Sequence, residues 1–326
     1  MEISVTTPVL SSARSVCRSC ESVGGTSFGK QMAASFLSVH RFYPIERKDD
    51  VNKTFDVVFF HGLQITGGTA PQEGFEKTWT TRDNNILWPR EWLPNDLKDI
   101  RVFSLSYDTE ATKWFAKGNS EDVDEIGENL AMALVSGRDA IGGRPFALVG
   151  HSFGGLVIKA LVNAMKTRST SEAAQSDALN SDAVDRANKF LQNLKGIVFY
   201  SVPHSGADAD ALGRYFKFRG LSTMVNDLRP FSRKMAKMSV LTEDAFYKKG
   251  VIIFAFGEGK PTFSDKMVVE SASAMQLAGH NFYKLEDCNH MQVCKPPDQS
   301  HASYDMLLYV LRLCSKDAFV QARLVV

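Results

Sequence analysis

Cysteine is scarce in this chain, long apolar runs are missing, and neither sign of charge is in excess. Five cysteines among 326 residues, an odd number and widely scattered, argue against a disulfide framework and fit a reducing compartment. Cys17-x-x-Cys20 has no second pair, and a closed zinc site needs four ligands, so no metal is expected there. No apolar run reaches the ~18 residues needed for a helix to span a bilayer, and peripheral membrane contact remains open. A net charge of +1 and a pI of about 7.7 carry no nucleic-acid footprint. Gly24-Gly25-Thr26-Ser27-Phe28-Gly29-Lys30 imitates a phosphate-binding loop, but Gln31 stands where a hydroxyl residue is needed and no strand precedes it. Asn52-Lys53-Thr54 is a glycosylation acceptor only if the chain is secreted. No internal repeat is visible.

What is present suits one large core: 44% of residues are hydrophobic and 23% charged. Residues 1–33 are rich in Ser, Thr and Gly, have more basic than acidic residues, and read as a disordered or targeting tail. From residue 34 to 326 a single domain is expected. Apolar strand-like segments at 35–43, 55–60, 101–107, 145–149, 195–200, 251–256 and 281–285 alternate with helical patterns at 121–140, 153–168, 208–218, 229–248 and 300–314. That alternation implies an α/β fold with a mostly parallel sheet and helices on both faces. Residues 168–186, dominated by Ser, Ala, Asp and Thr, read as a mobile surface insertion.

One segment carries chemistry. The apolar run PFALV leads into Gly150-His151-Ser152-Phe153-Gly154, and Leu156, Val157, Ala160, Leu161, Ala164 and Met165 then fall on one helical face. A strand, a sharp turn and a helix around G-x-S-x-G form a nucleophile elbow, which presents a serine hydroxyl on a strained backbone. Gly150 and Gly154 are expected where strand and helix approach closely, since a side chain would clash. A serine hydroxyl is a poor nucleophile unless a base takes its proton and a third group orients that base.

On such scaffolds the chain order is serine, acid, histidine. Of seven histidines, His280, His290 and His301 come late enough. His290, in EDCNHMQVCKP between the last strand and the last helix, is the expected base. Three carboxylates follow the strand VIIFAF: Glu258, Asp265 and Glu270. Glu258 is preferred because it is nearest the carboxyl end of that strand, with Asp265 and Glu270 as alternatives. Two backbone N–H groups should form an oxyanion hole. Phe153 follows the serine and supplies one. Leu63, in the His61-Gly62-Leu63-Gln64 loop after FDVVFF, supplies the other, with Gln64 as the alternative. His61 and His204 are expected to brace loops, and His151 to pack inside the elbow.

With these residues assembled, the chain resembles the serine active site-containing family of lipase-like α/β-hydrolases, from about residue 35 to 318. The segments that carry the resemblance are DVVFFHGL, WPREWLPNDL, RVFSLSYDTE, GHSFGGLVIKALV, KGIVFYSVPHSG, VVESA and NHMQVCKP. The resemblance implies the α/β-hydrolase fold and hydrolysis or transacylation of acyl esters of lipids, without a cofactor. It also implies an intracellular place at mitochondria or the endoplasmic reticulum, a cytoplasmic one being the alternative. The family's serine maps to Ser152 and its histidine to His290; the resemblance does not choose between Glu258 and the VESA glutamate, Glu270. The alternative function is a catalytically quiet lipid-binding or receptor protein on the same fold. Residues 205–250 mix aromatic, Met and basic residues, and could form a lid over an acyl pocket or pack as ordinary helices.

Overall fold

Strands in the middle of a parallel sheet are covered by helices on both faces, so they are apolar without alternation. The computed structural model, which describes residues 37–50, 52–62, 74–107, 121–136, 139–170, 178–205, 250–262 and 265–323, joins all seven expected strand segments into one sheet. The strands are β1 (Ser38–Tyr43), β2 (Phe55–Phe60), β3 (Ile100–Ser106), β4 (Phe146–His151), β5 (Leu194–Tyr200), β6 (Ile252–Glu258) and β7 (Phe282–Leu285). Their order is β1-β3-β2-β4-β5-β6-β7. β1 runs antiparallel to β3, and every other neighbouring pair is parallel. β2, β3 and β4 are buried at every position. β1, at one edge, is mostly half-buried. All described residues fall within one compact unit, Ser35–Val326.

Four longer helices cover the sheet: α1 (Glu121–Ser136), α2 (Phe153–Ser169), α3 (Ala178–Asn193) and α4 (Ala302–Arg323). One face of the sheet packs on α1, α2 and α3 through Leu130, Leu156, Leu161, Phe190 and their neighbours. The other packs on α4 and on the helical turns Trp88–Glu91 and Leu93–Asp96. Pro89 and Pro94 stand at the starts of those turns, where a missing N–H costs no hydrogen bond. They swing Trp88 into the core, where it is fully buried, meets Phe59 and Tyr304 edge-on, and donates its Nε1–H to the Cys294 carbonyl at 3.1 Å. Among the described residues no helix is long and apolar enough to cross a membrane.

Two elements differ from the sequence expectation. The described part of the segment read as a surface insertion is largely helical: α2 runs to Ser169, and α3 begins at Ala178. Its apolar residues Ala187, Phe190 and Leu191 are buried at spacings of three and one, while Asp182, Asp185, Arg186 and Lys189 are exposed. β6 runs two residues beyond VIIFAF, so Glu258 is its last residue and pairs with Leu285 of β7. The tail at 1–33, Leu63 and Gln64, the helical patterns at 208–218 and 229–248, and all of 205–250 but its two end residues lie outside the described residues.

The topology fixes where chemistry can happen. The strand order reverses around β2 and β4, and loops leaving the carboxyl ends of parallel strands diverge there into a crevice. His61 and Gly62 leave β2 at this end, Ser152 leaves β4, and Glu258 ends β6.

Candidate active site

The serine's conformation follows from close packing. At Gly154 an added Cβ would overlap the Phe60 carbonyl oxygen at the end of β2, and at Gly150 it would lie 2.9 Å from the Gly155 backbone. With both positions bare, α2 starts directly against the strand ends. The chain must turn within one residue, and Ser152 takes φ 51° and ψ −122°. That left-handed conformation is costly for a residue with a side chain and recurs at functional turns. The Ser152 N–H donates to the Tyr200 carbonyl at 2.9 Å, which ties the turn to β5. Phe153 opens α2, so its N–H lies at the positive end of the helix dipole.

A hydrogen-bonded chain runs from the serine into the sheet. Ser152 Oγ lies 2.9 Å from His290 Nε2. His290 Nδ1 lies 2.7 Å from Glu258 Oε2. Glu258 is buried, and its other oxygen, Oε1, accepts the Val269 N–H at 2.9 Å. Each carboxylate oxygen thus has a donor, as burial of a charge requires. Asp265 and Glu270 are exposed and stand apart from this chain. The V-V-E-S segment nevertheless contributes: Val268 and Val269 are buried, and the Val269 backbone holds the glutamate in place.

The remaining histidines sort by environment. His280 is exposed. His301 belongs to a separate group, with Nε2 3.0 Å from Asp287 Oδ2 and Nδ1 2.7 Å from Ser303 Oγ. Asp287, Cys288 and His301 are the one cluster of metal-ligating type among the described residues. There His301 Nδ1 accepts the Ser303 N–H, which leaves the ring proton on Nε2, facing Asp287. Burial and the neighbouring Asp287 push the Cys288 thiol up to about 12.

His61 is fully buried, which lowers its pKa to about 4. Its neutral ring donates Nδ1–H to the Gly62 carbonyl at 2.8 Å and stacks on Tyr107 at 4.3 Å. The Tyr107 hydroxyl donates back to the His61 carbonyl at 2.5 Å, so this loop is braced from both sides. His204 is buried, with its ring edge-on to Phe199 at 4.6 Å. Leu63, the expected second oxyanion donor, is outside the described residues.

Two contacts to the histidine loop had no counterpart in the sequence reading. His151 Nε2 lies 2.9 Å from the His290 carbonyl oxygen, and the His290 N–H donates to Thr262 Oγ1 at 3.1 Å. Burial lowers the His151 pKa to about 3, so the ring is neutral, and its single N–H must sit on Nε2, because a carbonyl only accepts. Adjacency to the serine was the one signal for His151; for Thr262 there was none.

No family model matches the chain. It is 27% identical over 280 residues to protein SERAC1 of Bos taurus, covering 79% of this chain and 38% of that protein. It is 28% identical over 279 residues to protein SERAC1 of Mus musculus, covering 78% of this chain. The chain thus spans 38% of the length of these curated relatives. Among solved structures it is similar to phospholipase PlaB from Legionella pneumophila, with TM-score 0.51 and 15% identity, covering 82% of this chain and 61% of that one. Sheet order, the strand–serine–helix connection and these likenesses agree: the chain has the α/β-hydrolase fold and is similar over most of its length to protein SERAC1.

Proposed function

We propose that the chain is a serine hydrolase of carboxylic esters that works through an acyl-enzyme, with Ser152 as nucleophile, His290 as base and Glu258 as the orienting acid. The observation that carries this reading is the continuous chain of contacts, 2.9 Å from Oγ to Nε2 and 2.7 Å from Nδ1 to Oε2, built on a serine held at φ 51°. As Oγ attacks the ester carbonyl, its proton passes to His290 Nε2. Glu258 keeps the imidazole in the tautomer that leaves Nε2 free to accept, and stabilises the imidazolium that forms. The developing oxyanion is held by the Phe153 N–H and, in this proposal, by the Leu63 N–H. The alkoxide leaves with the proton from His290, and a water repeats the sequence to release the acid. No cofactor enters any of these steps.

The narrower reading, acyl esters of lipids as substrates, rests on the resemblance to the serine active site-containing family. So do transfer of the acyl group to an alcohol, peripheral membrane contact and residence at mitochondria or the endoplasmic reticulum. The test is labelling by a fluorophosphonate probe with mass-spectrometric mapping, followed by a panel of lipid esters with product readout. Modification of Ser152 and release of a fatty acid are the expected results. A folded protein that takes no label would instead be a binding protein on a hydrolase fold.

A further inference from the structure

His290 lies in a turn, outside any strand or helix, so no secondary-structure ladder holds its backbone. Both polar groups of its main chain are instead taken by side chains: the N–H by Thr262 Oγ1 at 3.1 Å and the C=O by His151 Nε2 at 2.9 Å. The two partners come from the elements that carry the other two members of the triad. His151 ends β4 and immediately precedes Ser152; Thr262 follows β6, four residues beyond Glu258.

We propose that His151 and Thr262 are positioning residues that clamp the His290 backbone between the strand of the nucleophile and the strand of the acid, and so set the distance from Oγ to Nε2. This rests on the triad reading above. An imidazole costs more to bury than a hydrocarbon ring of similar shape unless its polar atoms are used. His151 is 4% exposed, and its ring centroid lies 5.2 Å from that of His290. Packing alone would be served by a phenyl ring; the hydrogen bond to the base is what the imidazole adds. The clamp explains how a base on a loop, 138 residues from its serine in sequence, is held within hydrogen-bond distance of it. Neither side chain belongs to the hydrogen-bonded chain from Ser152 to Glu258, so their loss should act on the rate of bond making and leave binding alone.

The experiment compares wild type, His151→Phe, His151→Gln and Thr262→Val on a short-chain ester and in fluorophosphonate labelling, with thermal unfolding as the check on folding. Misplacing a catalytic group by about 1 Å can cost on the order of 100-fold, so His151→Phe and Thr262→Val should lower kcat and the labelling rate constant ~10- to 100-fold. KM should stay near the wild-type value. His151→Gln, whose amide N–H can reach the same carbonyl, should recover most of the loss. A folded His151→Phe protein with wild-type kcat would overturn the proposal, and so would a Gln variant no better than Phe. Should His151→Phe not fold, Thr262→Val decides alone, since it exchanges a hydroxyl for a methyl at a half-buried position. An unchanged kcat in that variant overturns the clamp. A wild-type protein that takes no label brings down the triad reading itself, and the clamp with it.

Discussion

Replacing Glu258 by Gln separates the acid's charge from its shape. Both carboxylate oxygens are occupied, Oε2 by the His290 Nδ1–H at 2.7 Å and Oε1 by the Val269 N–H at 2.9 Å. A glutamine has one acceptor oxygen and one amide nitrogen. With the oxygen toward His290, the amide meets the Val269 N–H donor to donor, and a buried N–H loses its partner at a cost of ~1–3 kcal/mol. With the amide toward His290, Nδ1 must accept. The ring proton then moves to Nε2, and the imidazole can no longer take the serine proton. In the better case the loss is that of a charge-assisted hydrogen bond to the imidazolium, ~1.5–3 kcal/mol, or ~10- to 150-fold in rate. In the worse case the wrong tautomer brings it toward ~10⁴-fold. The expected fall in kcat therefore lies between ~10- and ~10⁴-fold, with a small drop in Tm. Asp265→Asn and Glu270→Gln, both exposed, should stay within a few-fold of wild type on the same short-chain ester. If Glu258→Gln turns over normally while either of the others collapses, the reasoning fails.

Ser152→Ala should lose at least ~10⁴-fold in ester hydrolysis while keeping the fold, measured by turnover and circular dichroism of the purified variant. Ser152→Gly should be equally inactive yet melt at a higher temperature than Ser152→Ala, because glycine accepts φ 51° without strain. His290→Ala should be nearly as inactive as Ser152→Ala, whereas His301→Ala should retain turnover; the reverse pattern would move the base to the Asp287 cluster. Stability should fall in mild acid. Burial lowers the pKa values of His61 and His151 from 6.5 to about 4 and about 3. Below 6.5 the unfolded chain therefore binds protons that the folded chain refuses. The stability present above pH 6.5 is lost from there down toward pH 4, at about 1.4 kcal/mol per pH unit for each histidine. A Tm unchanged between pH 7.5 and 5 would show that these rings are accessible to solvent.

The strands, the sharp turn at Ser152 and the loop that carries His290 were legible in the sequence because their signals are local. FDVVFF, apart from Asp56, and FALV are buried on both faces, so they are apolar without alternation and need no knowledge of their neighbours. Gly150 marks a close approach to Gly155, only a few positions away, although Gly154 meets Phe60 at the distant end of β2, and the helix behind them repeats its apolar residues within two turns. The helix Ala178–Asn193 was missed because Ala187, Phe190 and Leu191 are too few to stand out from its polar face. Sequence also placed His290, through its position between the last strand and the last helix.

Which carboxylate meets His290 was decided by tertiary structure. Glu258, Asp265 and Glu270 lie within one short stretch, and position along the chain only ranks them. What separates them is how the stretch folds back: Val269 turns its N–H onto Glu258, while the side chains of Asp265 and Glu270 point to solvent. The hold of His151 on the His290 carbonyl joins residues 139 apart, and that of Thr262 on the His290 N–H joins residues 28 apart. No periodicity encodes such contacts. Composition and local pattern determine which segments are buried and which residue turns sharply; only the packed chain determines which polar atoms meet, because a hydrogen bond depends on tenths of an ångström that are set by every element around it.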